Sequence, residues 1–182
     1  TAFAAMPFYG LGLAYTDAYF ETMSGLTTTG STVIVGLDKI PRGILLWRAL
    51  LNGIGGLGII VMAIIMLPFL RVGGMQLFQA ESSDRSEKIV PRAIELTLAI
   101  AAVYAILIFS CAALFHLFGM TLFDAICHAL ASVATGGFST HDLSIGYYQS
   151  TLIETIAIVF MLLSGVNFAL HFMAWRNLSL GP

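Results

Sequence analysis

Long apolar stretches alternate with short polar ones along this chain, and the apolar stretches have the lengths of helices rather than strands. Residues 49–70, 96–123 and 155–175 contain no Asp, Glu, Lys or Arg. Each is long enough to cross the roughly 30 Å hydrocarbon layer of a bilayer at about 1.5 Å per residue. The pattern predicts spanning helices over about 43–70, 92–118 and 150–175. Residues 1–13 are apolar but too short to span and carry no basic segment, so they read as the end of a helix rather than as a signal peptide. Residues 71–91, with mixed charge, a Ser pair and a Gly pair, read as an aqueous connection, and Pro91 is expected at the start of the helix that follows.

An internal repeat organises these segments. Shifting the chain by 107 residues lays DAYFETMSGLTTTG (17–30) on DAICHALASVATGG (124–137) without a gap. Asp17 meets Asp124, Ala18 meets Ala125, Thr28 meets Thr135 and Gly30 meets Gly137. Both windows lead, after a polar loop, into a long apolar helix. Each copy therefore reads as a short helix (about 17–27 and 124–134), a Thr/Gly turn (27–31 and 134–138), a loop and a spanning helix. The second copy also has its leading helix.

A helix of 11 residues is about 16 Å long, half the hydrocarbon thickness, so in a membrane it must end inside. Its last carbonyls are expected to lack partners, and the negative end of its dipole suits a cation. Non-helical backbone at that depth survives only buried in protein or lining a water-filled path. Glycine permits backbone angles that aim carbonyls at one axis, threonine adds a hydroxyl, and rings of carbonyls replace the hydration shell of potassium. Thr28, Thr29, Gly30, Thr135, Gly136 and Gly137 are thus candidate ion-binding residues. The competing reading is ordinary small-residue packing between helices.

Composition agrees with a membrane protein: 58% hydrophobic residues, 10% charged and a mean hydropathy of +0.92 leave more apolar surface than 182 residues can bury. A net charge of −2 gives no basic field for nucleic acid. Arg71, Arg85, Lys88, Arg92 and Arg176 against Lys39, Arg42 and Arg48 place the 71–91 connection in the cytoplasm by the positive-inside rule. Asp17 and Asp124 are expected to cap the short helices, and Asp17, Glu21, Asp38, Asp124 and Asp142 read as solvated surface charges. Cys111 and Cys127 read as buried small hydrophobes. His116, His128, His141 and His171 share no ligand-like spacing, and His171 is expected to bond a neighbouring helix. Asn52 and Asn167 read as packing contacts. Gly53, Gly55 and Gly58 match a dinucleotide fingerprint in spacing but lack the preceding strand, so close helix approach is the expectation. No paired carboxylates, metal constellation or activated nucleophile points to an enzyme.

The runs SGLTTTGSTV and ASVATGGFST, the connection GGMQLFQAESSDRSEKIVPRA and SGVNFALHF in the last helix closely resemble the TrkH/TrkG branch of the Trk/Ktr/HKT superfamily of potassium transporters. The resemblance covers nearly the whole chain. It implies an all-α integral membrane fold of helix–pore helix–helix repeats of the potassium-channel-like type, four repeats around one pore with one filter glycine each. By matching motifs, Gly30 and Gly137 are those glycines, with Thr28, Thr29, Thr135 and Gly136 supplying neighbouring carbonyls, and potassium is held at Thr28, Gly30, Thr135 and Gly137. Residues 1–70 then form most of a first pore repeat and 92–182 a second. The resemblance further implies potassium uptake across a bacterial inner membrane by a multi-pass protein, a homodimer in membrane lipid, a cytoplasmic nucleotide-binding regulatory subunit, TrkA, and no cofactor beyond the potassium ion as substrate. A structural membrane subunit, or a transporter of another monovalent cation such as sodium, is the alternative.

Overall fold

A computed structural model of the chain describes residues 1–70, 86–166 and 171, with the side chains of 63–70 and 86–96 left aside. All regular elements among the described residues are helical. A 3-10 turn at Phe3–Ala5 runs into α1 (Met6–Tyr9), then come α2 (Tyr15–Leu26), α3 (Arg42–Leu70), α4 (Ser86–Leu117), α5 (Leu122–Val133) and α6 (Thr151–Gly165). Within α3 and α4, Arg42–Met62 and Thr97–Leu117 are long and apolar enough to cross a membrane.

The boundaries differ from the expected ones in instructive ways. Both short helices begin two residues before their aspartate. Thr121, in extended conformation, caps α5 by accepting the amide of Asp124, and its hydroxyl donates to Asp124 Oδ2 at 2.6 Å. Asp124 therefore sits in the first turn and is not itself the cap. Ala14 occupies the same place ahead of α2 and offers no side-chain acceptor, so exposed Asp17 only complements the helix dipole. Helix α4 starts at Ser86, inside the expected connection, and carries Pro91 within its second turn rather than at its start. A proline there forfeits one backbone bond of the helix. Helix α6 stops at Gly165, where Val166 is extended (ψ 142°). The carbonyl of Leu163 there accepts from Val166 N–H at 3.2 Å and from His171 Nε2 at 2.9 Å. Asn167, the rest of the 150–175 helix apart from His171, and residues 71–85 lie outside the described residues.

Two apolar clusters hold the fold. One joins α4, α5 and α6 through Tyr104, Cys111, Phe115, Ala125, Ala129, Ile153 and Phe160. The other joins the N-terminal turn, α2 and the start of α3 through Phe8, Ala18, Ile34, Leu37, Leu45 and Leu51. Cys111 and Cys127 are free and buried, as expected. Helix α3 is the wedge between the clusters, and its glycines set how close the short helices come. A β-carbon on Gly53 would lie 2.7 Å from Leu130 of α5, and one on Gly55 would lie 2.2 Å from the Leu26 carbonyl that ends α2. One on Gly56 would meet Ala134, just past the end of α5, at 3.1 Å. Gly58 faces open space. The glycine run is therefore a seat for both short helices, with Gly58 outside it.

Gly55→Ala should destabilise the full-length protein in detergent by about 1–3 kcal/mol, because the added methyl meets backbone that cannot swing aside. Gly58→Ala should leave its melting temperature equal or slightly higher. Equal effects of the two changes would refute the seat.

Candidate functional site: two turns in contact

Each short helix ends in the same hydrogen-bonded motif, displaced by 107 residues. Thr28 N–H donates to Gly25 O and Thr29 N–H to Ser24 O, at 3.0 and 2.9 Å. In the second copy Thr135 N–H donates to Ser132 O and Gly136 N–H to Ala131 O, at 3.0 and 2.9 Å. This is the Schellman ending, whose left-handed position is usually glycine. Here that position is threonine both times, Thr28 at φ 55° and Thr135 at φ 52°. A β-branched residue there is a genuine outlier costing about 1–2 kcal/mol. Two residues on, Gly30 (φ 77°) and Gly137 (φ 113°) are again left-handed. The last helical carbonyls are thus largely bonded within the turns, contrary to the expectation that they lack partners. Carbonyls free for other work belong to the turn residues themselves.

The turns come together. A β-carbon on Gly30 would sit 2.2 Å from the carbonyl oxygen of Gly136 and 3.1 Å from Cα of Gly137, so only glycine fits. Of the predicted site residues, Thr28, Gly30 and Gly136 are partly buried, and Thr29, Thr135 and Gly137 are exposed. The Ser24 hydroxyl braces the first turn through the carbonyl of Ser31 at 2.6 Å, and Thr27 and Thr29 hydroxyls bond each other at 2.8 Å. Asn52 is fully buried against Gly136, with its amide lacking a protein partner among the described residues.

Behind the turns lies a network that sequence reasoning missed. Glu21, expected as a solvated surface charge, and Arg48, counted among the basic residues on one side of the membrane, are 0% and 1% exposed and form an ion pair, Nε to Oε1, at 2.8 Å. Glu21 also accepts from the Thr32 hydroxyl at 2.8 Å and from Val33 N–H at 3.1 Å. Arg48 donates through Nη1 to the Ser139 carbonyl at 3.1 Å, and its guanidinium carbon lies 4.2 Å over the Phe138 ring. His128 occupies in α5 the register of Glu21 in α2, and its Nε2 bonds Ser139 Oγ at 3.0 Å. Thr32 and Ser139 are themselves 107 residues apart. A charged residue eleven positions before a hydroxyl was the available signal.

The loops that follow are clipped to each other. Asp142 Oδ1 accepts from the amides of Gly36 and Leu37 at 3.1 and 3.0 Å, and His141 Nδ1 bonds Asp38 Oδ1 at 2.5 Å while stacking on Tyr147 at 3.7 Å. Asp124 is buried and accepts from Thr121 and Thr140. Of the five expected surface carboxylates, Glu21 and Asp124 are therefore interior, and Asp17, Asp38 and Asp142 are exposed. His128 and His141, distant by spacing, are joined through Ser139, whose Oγ also accepts from His141 N–H at 3.0 Å. Among the described residues no group of three or more metal-ligating side chains forms.

Among the described residues, regular elements that are all helical, two of them membrane-length and two half-length and ending in touching Thr/Gly turns, have the outline of a membrane transport protein. The model of the TrkH family of cation transport proteins matches residues 4–180, and the chain belongs to that family. It is 49% identical over 172 residues to the Trk system potassium uptake protein TrkH of Vibrio parahaemolyticus, covering 93% of this chain and 36% of the relative. It is 43% identical over 174 residues to the Trk system potassium uptake protein TrkG of Escherichia coli K12, covering 94% of this chain and 36% of that one. The crystal structure of the potassium transporter TrkH from Vibrio parahaemolyticus superposes with a TM-score of 0.77 at 46% identity, over 90% of this chain and 32% of that one. The chain thus spans about a third of the length of these relatives, which are named as transport proteins.

Thr135→Gly should stabilise the protein by about 1 kcal/mol in thermal unfolding, since glycine adopts the left-handed angle freely. A loss of stability would mean the Thr135 side chain outweighs its strain. The hydrogen bond from His141 holds the Asp38 carboxyl below its ordinary range. A depressed carboxylate contributes stability above its unfolded pKa of about 3.9, and that contribution disappears as pH falls through the folded value. Asp38→Asn should therefore flatten the acid limb of the melting-temperature profile below about pH 4. An unchanged limb would show that the clip carries none of the acid sensitivity.

Proposed function

We propose that this chain is part of the pore-forming subunit of a bacterial Trk-type system that carries potassium across the inner membrane. In this reading residues 1–70 and 92–182 are two helix–pore helix–helix repeats, α2 and α5 are pore helices, and the turns are two quarters of a selectivity filter. Thr28, Thr29, Gly30, Thr135, Gly136 and Gly137 supply its oxygens, with potassium as substrate at Thr28, Gly30, Thr135 and Gly137.

The observation that carries this reading is the convergence of the turns. Two short helices from distant parts of the chain bring matching left-handed Thr/Gly turns to one place, with Gly30 against the Gly136 carbonyl. Small-residue packing accounts for close helices, as at Gly53 and Gly55, but offers no reason for strained threonines at both helix ends. Strain of that kind collects at functional positions. Partially negative helix ends and bare carbonyls favour a cation, and carbonyl rings replace its hydration shell without any covalent step. The relatives' names point to potassium, ahead of sodium.

The 71–85 connection faces the cytoplasm in this reading. With Arg48 interior, the basic residues opposing that side fall to Lys39 and Arg42, which favours the orientation. Exposed apolar residues such as Leu98, Phe109, Leu152 and Leu162 meet lipid or other parts of a multi-pass assembly. A homodimer and the regulatory partner TrkA complete the system.

In a potassium-uptake-deficient bacterium on low potassium, the full-length protein should restore growth, and Gly30→Ser and Gly137→Ser should each abolish it. At Gly30 the substituent has no space, and at Gly137 the φ of 113° is strained for any side chain. Equal growth of all three would favour a structural subunit.

A further inference from the structure

We infer that Arg48 is a positioning residue that couples the two turns through Glu21 and so sets discrimination between potassium and sodium. The inference deepens the proposed function and rests on it.

Every strong contact of Arg48 leads to a turn. Its Nε holds Glu21, which holds Thr32 and Val33, just past Gly30. Its Nη1 holds the Ser139 carbonyl, just past Gly137, and its face covers Phe138, the residue next to Gly137. Thr32 and Ser139 are register-equivalent, so one guanidinium ties the same point of both turns from behind. His128 reaches that point in the second copy as Glu21 does in the first, but it contacts the Ser139 hydroxyl and makes no ion pair with Arg48. At the turn exits the tie is thus made by one charged side chain on α3, ahead of the Asp142 and His141–Asp38 clips that join the loops further on.

Geometry makes the tie relevant to ion choice. Carbonyl number, field strength and stiffness select between cations that differ by fractions of an ångström in radius. The carbonyl of Gly136 already lies against Gly30, so a shift of Phe138–Ser139 relative to Thr32–Val33 moves carbonyls of one turn against the other. Arg48 is 1% exposed, which shields its bonds from bulk solvent, and a planar fork holds two directions at once where an ammonium holds a point.

The test uses the full-length protein in cells lacking other potassium uptake, measuring initial potassium and sodium uptake alongside membrane abundance and melting temperature in detergent. Arg48→Lys keeps the charge beside Glu21 but loses the fork. Arg48→Gln and Glu21→Gln remove the ion pair, and Phe138→Leu removes the covering ring with least disturbance. The expected result is a potassium-to-sodium uptake ratio reduced about tenfold in Arg48→Lys, the scale of a support acting at a distance from the ion. Phe138→Leu should reduce it in the same direction while abundance stays at the wild-type level. Wild-type selectivity in well-folded Arg48→Lys and Phe138→Leu would overturn the inference and leave Arg48 a purely structural residue. Should the glutamine variants fail to accumulate, the lysine and leucine variants still decide. Failure of the wild type itself to take up potassium would instead overturn the functional reading, so the two failures are distinct.

Discussion

The backbone of Gly30 rests against the carbonyl of Gly136, and the rest of the described fold is arranged to permit that contact. Two peptide segments meet at a distance that a single methyl would abolish. Neither segment is helical there, so neither can satisfy its own polar groups by a ladder. Each relies on the helix behind it, through the bonds that wrap Thr28 and Thr29, or Thr135 and Gly136, back onto the preceding turn. Those helices must in turn approach α3 more closely than side chains normally allow. The glycines at 53, 55 and 56 remove the obstruction, and each faces a different part of the two short helices. Close packing thus propagates inward from an apolar seat to a polar centre.

Electrostatics supplies the second half of the arrangement. A buried guanidinium in a membrane-length helix is costly unless its partners are in place, and breaking such a pair leaves an uncompensated charge worth several kcal/mol. Glu21 compensates Arg48 directly, and the Ser139 carbonyl and Phe138 face occupy other parts of the group. The pair is poor support for stability in itself, because apolar residues of similar volume often serve as well. Its distinctive property is direction. It fixes where the exits of two turns lie relative to each other, which apolar packing specifies only loosely.

Much of the architecture was legible in the sequence because it rests on local rules. Apolar stretches of the right length gave the helices of α3 and α4, and an offset of 107 residues pointed to both turns. The glycine run was readable as close approach, although not that it serves both short helices, and Gly58 falls outside it. What stayed hidden depends on tertiary contacts. Glu21 and Arg48 lie 27 residues apart on different helices, and charge alone suggests water. Asp124 is capped by Thr121, whereas Ala14 provides nothing to Asp17, a difference one residue type outside the aligned window decides. The left-handed threonines contradict the usual preference for glycine, so their backbone angles are not legible from residue type.

The two copies are similar in backbone and unlike in chemistry, and the unlikeness is concentrated at one register. Glu21 and His128 point at Thr32 and Ser139 from equivalent positions, so the brace from short helix to turn exit is retained while its charge is not. A carboxylate in both places would leave one negative charge without a cation in the interior, since Arg48 serves one. A neutral imidazole gives the second brace a hydrogen bond without that penalty, at 1% exposure where charge is disfavoured. The single arginine then reaches the second copy through a backbone carbonyl, an acceptor that carries no charge and cannot be lost by substitution. The two turns thus share a shape while their positions are mutually dependent, because a charge on the helix between them holds the exits of both.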